Sequence, residues 1–240
     1  MALSRATLSS RAAFEPLLAF APWRLSGTVV GPLLNDPTAL EALGDAVHAP
    51  PYKAPPRAPV LYVKPRNTLA GSGATIDVPA DAPGLELGAT VGLVVGRTAC
   101  RVAPGDALRH IAGFVLVVDA SVPHASFYRP SVRFKARDWS CVIGAAVAAD
   151  GSSFAPDAAR LRVSIDGKVV QDVTLAGMRR PAAKLIEDVS EFMTLHPGDV
   201  LLLGVRHGAP VARAGQRFAV ESEGLGRVEG HVVVEAEGDE

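Results

Sequence analysis

The sequence has little cysteine, no excess charge of either sign and no long apolar run. Cys100 and Cys141 are the only two cysteines, too few for a disulfide framework, so a reducing, cytoplasmic location is the simpler expectation. No apolar run approaches the roughly 20 residues that a membrane helix needs. The 24 Lys and Arg residues balance 25 Asp and Glu residues, so the sequence has no excess of basic residues of the kind that binds nucleic acid. We therefore expect no membrane and no nucleic-acid partner.

Several familiar catalytic motifs are also missing. The chain has no GxSxG elbow, no P-loop and no GxGxxG after a strand, so nothing predicts a serine hydrolase of that type or a nucleotide-binding fold. Its six histidines are scattered, and no HxxxH or CxxC pair predicts a zinc site. A function has to be sought in less regular groups of residues.

The composition is that of a folded, apolar-rich protein. Apolar residues make up 48% of the 240 residues and charged residues only 20%, which is enough for a sizeable core. We expect an irregular N-terminal extension over residues 1–26 and a single domain over residues 27–240.

Strand patterns outnumber helix patterns along the chain. Residues 160–174 alternate apolar and polar side chains around Asp166-Gly167, which predicts a hairpin with a two-residue turn. Helical spacing predicts a helix over residues 181–195 and a second over residues 38–47. Further strands are expected at residues 27–34, 60–63, 75–78, 91–95, 200–204, 216–220 and 227–235. The pattern indicates a mixed, β-dominated fold with few short helices rather than a doubly wound α/β sheet.

The stretch from Ala112 to Gly144 carries the most chemistry. An apolar run ends on Asp119, and a loop rich in cations follows it. A buried strand that delivers an acid into a cationic loop is a common design for an anionic substrate. The alternative is a strand followed by a solvated charged loop, because charged loop residues are usually exposed.

Four segments in this order resemble the fumarylacetoacetate hydrolase family. They are LYVKPRNTLAGSG (61–73), GFVLVVDASVPHASFYRPSVRFKARDWSCVIG (113–144), SEFMTLHPGDVLLLG (190–204) and EGLGRVE (223–229). The resemblance implies a β-roll with a pseudo-barrel. The segments PPYKAPPRAPVLYVKPRNTLAG and FYRPSVRFKARD resemble the branch that isomerises and decarboxylates intermediates of 4-hydroxyphenylacetate degradation. Within it, the chain is similar to the N-terminal half of a fused two-repeat enzyme.

The family resemblance also implies a Mg²⁺ or Mn²⁺ cofactor, which this sequence supports poorly. The family holds its metal with a Glu-x-Glu pair and an Asp, and only Asp119 has a counterpart here. The Glu positions fall on Gly88 and Thr90. Glu86 could substitute only if its strand slipped by two residues. We expect Asp119 as the single metal ligand, and therefore no tight binding of Mg²⁺ by the chain alone.

The resemblance assigns roles to further residues. Lys135 matches the family's site lysine and Asp138 its neighbour, so the expected catalytic residues are Lys135, Asp138 and Asp119. The expected substrate-binding residues are Lys64, Tyr128, Arg129, Arg133 and Arg206. At least two of the cations Lys64, Arg129, Arg133, Lys135 and Arg137 should reach a common cleft near Asp119, since the substrates carry two or three carboxylates.

Two functions remain open at this stage. The chain could be an active isomerase/decarboxylase subunit acting on small di- or tricarboxylates. It could instead be a non-catalytic subunit that supports a metal-bearing partner chain. In either case we expect a homodimer or a hetero-oligomer with a second, homologous subunit, because several near-continuous apolar strands need cover on both faces.

Overall fold

The computed structural model describes residues 27–128 and 131–235, in which strands predominate. The predicted N-terminal extension, residues 1–26, lies outside the described residues. The strands are β1 (Val29–Leu33), β2 (Val60–Lys64), β3 (Leu69–Gly71), β4 (Ala74–Val78), β5 (Leu85–Val95), β6 (Ile111–Ser121), β7 (Cys141–Ala148), β8 (Arg160–Ile165), β9 (Lys168–Thr174), β10 (Val200–Leu202), β11 (Val211–Ala212), β12 (Arg217–Ser222) and β13 (Gly226–Val234). The α-helices are α1 (Pro37–Glu41), α2 (Val132–Lys135) and α3 (Ala182–Ser190).

The strands form two sheets. The larger, eight-stranded sheet runs β2-β1-β10-β5-β6-β7-β3, with β11 pairing to β5, and the smaller runs β4-β13-β12-β8-β9. Strands β2 and β3 stand at opposite ends of the larger sheet, yet only the short 3-10 turn Arg66–Thr68 joins them. The larger sheet therefore curls back on itself. This confirms the expected β-dominated roll with a pseudo-barrel.

The two faces of the curled sheet have different partners. Odd-numbered residues of β5, such as Leu87 and Leu93, belong to a large apolar core shared with the smaller sheet and α3. On the other face, Val94 packs with Val115 and Val200 in a second apolar cluster. Because both faces are covered, β5 and β6 are almost entirely buried and read as continuous apolar runs.

The predicted hairpin is confirmed in its turn as well as its strands. Asp166 and Gly167 have φ angles of 48° and 77°, which are the positive values that a primed two-residue turn needs. The helix predicted over residues 38–47 is wrong in extent: α1 ends at Glu41, and a separate 3-10 helix covers Gly44–Val47. Gly44 has a φ of 50°, a left-handed conformation that interrupts an α-helix.

Two other elements differ from the sequence patterns. Strand β5 begins at Leu85, six residues before the predicted start at residue 91, because Glu86 to Thr90 pair in continuous register with β6. Helix α2 was not predicted, since four residues are too few to show helical periodicity. Both elements bring side chains to the site described below. Among the described residues, no helix is long and apolar enough to cross a membrane.

Helix α3 provides a test of the core. Leu185 is fully buried against the main apolar cluster, so Leu185→Ala should lower the free energy of unfolding by about 2–5 kcal/mol in urea denaturation. The control is Phe192→Ala, because Phe192 is an exposed apolar residue just beyond the helix. This substitution should change the free energy of unfolding by less than about 1 kcal/mol. Equal effects of the two substitutions would contradict the packing described here.

Candidate active site

Three elements converge on the carboxylate of Asp119. Strand β6 carries Asp119 near its end, β2 carries Tyr62 and Lys64 on its inward face, and the last residue of α2 is Lys135. Gly31 makes room for Tyr62, because a Cβ there would lie 2.5 Å from the tyrosine hydroxyl oxygen. The curl of the sheet thus brings residues far apart in sequence around one acid.

Asp119 is surrounded by hydrogen-bond donors and positive charge. The Lys64 ammonium lies 2.7 Å from Oδ1 and the Lys135 ammonium 2.8 Å from Oδ2. The Tyr62 hydroxyl donates a short hydrogen bond to Oδ2. The Lys135 Nζ also lies 4.2 Å from the centroid of the Tyr62 ring, a cation–π contact. Both lysines are buried, so water screens these interactions little.

Lys64 and Lys135 differ in how much of their ammonium group is free. In addition to its ion-pair contact with Asp119, Lys64 donates hydrogen bonds to the carbonyl oxygens of Ala120 at 3.0 Å and Lys135 at 2.6 Å and to Ser140 Oγ at 3.1 Å. With only three N–H groups, it has no donor left for a ligand. Lys135, by contrast, lines a cavity. Of these two lysines, Lys135 is the one placed to meet a substrate.

The pKa values reflect the burial and the pairing. Burial alone would raise the pKa of Asp119, but the ammonium groups of Lys135 and Lys64 lower it well below its usual value. Burial lowers the pKa of Lys64, and the charge of Asp119 opposes this. Burial and the adjacent Asp119 charge raise the pKa of Tyr62, and burial raises that of the nearby Cys141 thiol to about 12. Near neutral pH, Asp119 is ionised, and Tyr62 and Cys141 keep their protons.

A cavity of about 370 Å³ opens beside Asp119. Its polar wall is formed by Glu86, Asp119, His124, Lys135 and His207, and its apolar wall by residues of β1, α1 and the adjoining turn. Burial raises the pKa of Glu86, while the charges of His124, Lys135 and His207 oppose the shift. The cavity therefore combines a fixed cation with several proton-carrying groups, as an acid–base site requires.

Arg206 lines this cavity, but its guanidinium group is occupied. It lies 2.9 Å from Oδ1 of Asp36 and 2.7 Å from the carbonyl oxygen of Thr174, and it also contacts that of Ala176. Asp36 in turn caps α1 and accepts a hydrogen bond from the backbone of His207. Arg206 thus fixes the cavity wall with three of its five N–H donors, and its role in substrate binding stays a prediction.

The other predicted residues lie away from the cavity lining. Asp138 is exposed and accepts a hydrogen bond of 2.6 Å from Asn67. Tyr128 is exposed and meets Tyr52 edge to face, and Arg133 is exposed on α2. Arg129 lies outside the described residues. The structure therefore brings together Asp119, Lys64 and Lys135 from the predicted set, and it does not bring Asp138, Tyr128 or Arg133 to them.

The residues around Asp119 do not fit a divalent metal. Both carboxylate oxygens face ammonium groups, whose charge repels a second cation. Thr90 donates its hydroxyl to the carbonyl oxygen of Gly204 at 2.7 Å. Among the residues that the structure describes, no group of three or more His, Cys, Asp or Glu side chains could hold a metal ion. Hard cations such as Mg²⁺ need several oxygen ligands.

The register of β5 against β6 explains the missing carboxylates. Gly88 lies directly opposite Asp119, and a Cβ on it would be 2.7 Å from the Asp119 carbonyl oxygen and 2.8 Å from a methyl group of Val205. A glutamate could not be placed there without moving one of them. Glu86 pairs with Ser121 in continuous register, so the two-residue slip that would bring it opposite Asp119 does not occur.

Sequence reasoning named neither Tyr62 nor the histidines as site residues. Tyr62 stands two residues before Lys64 on the same face of β2, and this spacing could have indicated it. His124 and His207 follow β6 and β10, the two strands that flank β5, and both line the cavity. No local sequence pattern marks such a pair.

Comparison with known proteins identifies the family to which this fold belongs. The family model described as "Fumarylacetoacetate (FAA) hydrolase C-terminal" matches residues 28–233, and the chain belongs to this family. The curated 4-hydroxyphenylacetate degradation bifunctional isomerase/decarboxylase of Escherichia coli is 40% identical over 213 residues, which cover 89% of this chain and 48% of that protein. The chain thus spans about half the length of the curated relatives of this type.

Solved structures share the fold. The 2-hydroxyhepta-2,4-diene-1,7-dioate isomerase of Mycobacterium marinum matches with a TM-score of 0.70 at 24% identity, over 88% of this chain and 75% of that one. The fumarylpyruvate hydrolase of Pseudomonas aeruginosa, in complex with Mn²⁺ and pyruvate, matches with a TM-score of 0.68 at 20% identity, over 87% and 89%. That family member holds a divalent metal, whereas the residues around Asp119 in this chain do not suit one.

The buried charges make a prediction for stability. Lys64→Met would leave the fully buried Asp119 with one ion-pair partner instead of two, and the free energy of unfolding should fall by roughly 3–5 kcal/mol. The matched control is Lys184→Met, which removes a half-exposed lysine from its pairs with Glu187 and Asp188 and should cost less than about 1 kcal/mol. Urea denaturation measures both, and a Lys64→Met variant as stable as the control would show that the Lys64–Asp119 pair is not needed.

Proposed function

We propose that this chain is a subunit of an isomerase/decarboxylase of 4-hydroxyphenylacetate degradation. The observation that carries the proposal is the 40% identity to half of the Escherichia coli enzyme of that name. The first proposed reaction is decarboxylation of 5-oxopent-3-ene-1,2,5-tricarboxylate. The second is isomerisation of 2-hydroxyhepta-2,4-diene-1,7-dioate to its 2-oxo tautomer. Residues 27–240 act as one domain in this proposal.

The cavity supports the chemistry that both reactions share. Loss of CO₂, or of the enol proton, leaves negative charge spread over the 2-oxygen and the conjugated carbons of the substrate. Lys135 offers a positive charge at the cavity wall, held in place by Asp119 and by the Tyr62 ring. A fixed cation aimed at developing negative charge stabilises the transition state without reorganisation. Asp119 holds the Lys135 ammonium group in place through their 2.8 Å contact, and itself need not touch the substrate.

A second function is favoured by the absent carboxylate pair. Gly88 and Thr90 stand where the family has metal-binding glutamates, and the close contacts of Gly88 exclude a side chain. A subunit in this state could support a metal-bearing partner chain without catalysis of its own. Under either function we propose that the chain associates, as a homodimer or with a homologous second subunit.

An activity assay distinguishes the catalytic from the non-catalytic function. The chain is purified alone and with its homologous partner, and both reactions are followed with Mg²⁺ and with an excess of EDTA. A catalytic chain should isomerise the dienol alone, and EDTA should leave that rate within about twofold, because Lys135 replaces Lewis-acid stabilisation. A chain that is inactive alone, but whose addition raises an EDTA-sensitive activity of the partner, would support the non-catalytic role. Inactivity in every combination would overturn the proposed function.

A further inference from the structure

His124 is a cavity residue whose ring is held rigidly. It lies on the loop after β6, where its ring stacks on Phe134 with centroids 4.9 Å apart and planes at 6°, and meets Phe127 edge to face at 5.9 Å. A hydrogen bond of 3.0 Å from the backbone N–H of Val122 to the carbonyl oxygen of Phe134 ties this loop to α2. The imidazole therefore has a fixed orientation, which proton transfer to a bound substrate requires.

The contacts of the ring also define its neutral tautomer. Nδ1 lies 3.0 Å from the carbonyl oxygen of Val122. A carbonyl oxygen only accepts hydrogen bonds, so the proton of the neutral ring is on Nδ1 and the lone pair is on Nε2. Nε2 is buried and has no hydrogen-bond partner among the described residues. A buried acceptor left without a partner is costly, and His124 is one of the residues that line the cavity, so a group bound there would supply the partner that Nε2 lacks.

The other polar groups of the cavity wall are less suited to accept a proton. Lys135 is ion-paired with Asp119, and Asp119 is itself occupied by two lysines and Tyr62. Glu86 on β5 and His207 after β10 also line the cavity. Among the described residues of the cavity wall, the side-chain atoms that are buried without a hydrogen-bond partner are Oδ1 of Asp119 and Nε2 of His124. Oδ1 of Asp119 still lies 2.7 Å from the Lys64 ammonium group, whereas Nε2 of His124 has no such charge partner.

We propose that Nε2 of His124 is the proton-transfer group of the isomerisation, an inference that rests on the proposed function. Nε2 takes the proton of the enol hydroxyl, and the O–H electron pair becomes the C=O double bond. The C2=C3 and C4=C5 double bonds of the diene are replaced by a single C3=C4 double bond. The remaining electron pair forms a new C–H bond at C5. The protonated imidazole supplies that proton. One proton leaves the substrate and one returns, so no further reactant is needed.

The test is the variant His124→Asn, whose side-chain amide can still donate to the Val122 carbonyl oxygen but has nothing in place of Nε2. In the isomerisation assay kcat should fall about 10²- to 10⁴-fold, while KM changes by less than roughly threefold because the binding groups remain. The pH profile of kcat should also differ between the variant and the wild type, because the variant lacks the ring nitrogen that carries the proton.

The matched control is His110→Asn. The Nδ1 atom of His110 likewise lies 3.0 Å from a backbone carbonyl oxygen, that of Thr98, but the residue is not part of the cavity wall, so kcat should be unchanged. Circular dichroism and urea denaturation establish that both variants fold. An active wild type whose His124→Asn variant keeps its kcat and pH profile would overturn the role of His124 and leave the proposed function standing. A wild type inactive alone and with its partner would overturn both.

Discussion

The ion pairs of Asp119 with Lys64 and Lys135 are the constraint on which the site depends. Three buried charges in a curled sheet are tolerable only because each lies within hydrogen-bonding distance of an opposite charge. Lys64 also bonds the backbone of β6 and of the loop that carries Lys135. The same lysine therefore links β2 to β6 and to the last residue of α2, Lys135, whose ammonium group belongs to the cavity wall.

This arrangement fixes the chemistry of the residues around Asp119. The Asp119 carboxylate orients the Lys135 ammonium group, Gly88 packs tightly against Asp119 and Val205, and Thr90 donates a hydrogen bond to the carbonyl oxygen of Gly204. Positive charge at the cavity wall comes from Lys135. The stacked imidazole of His124, with its free Nε2, adds a group able to carry protons near that charge.

Much of the fold could be predicted from the sequence, because strand alternation, the Asp166-Gly167 turn and the apolar face of α3 are local signals. Asp119 and Lys135 could be predicted as neighbours through the family resemblance and their short separation. The sequence could not predict that Lys64 uses all of its N–H donors, since its hydrogen-bond partners lie 56 to 76 residues away. Asp138 has the expected sequence position, but it points to Asn67 at the surface. Which side of a short loop faces the cavity depends on tertiary packing, which a sequence pattern does not show.

The central claim is that two lysines, rather than a divalent metal, neutralise Asp119. Anomalous diffraction from crystals of the chain soaked in Mn²⁺ tests it most directly, since it locates the metal as well as detecting it. The account predicts no anomalous peak within bonding distance of the Asp119 carboxylate, with both ammonium groups still in contact with it. A fully occupied Mn²⁺ on Asp119, with Lys64 or Lys135 turned away, would contradict it.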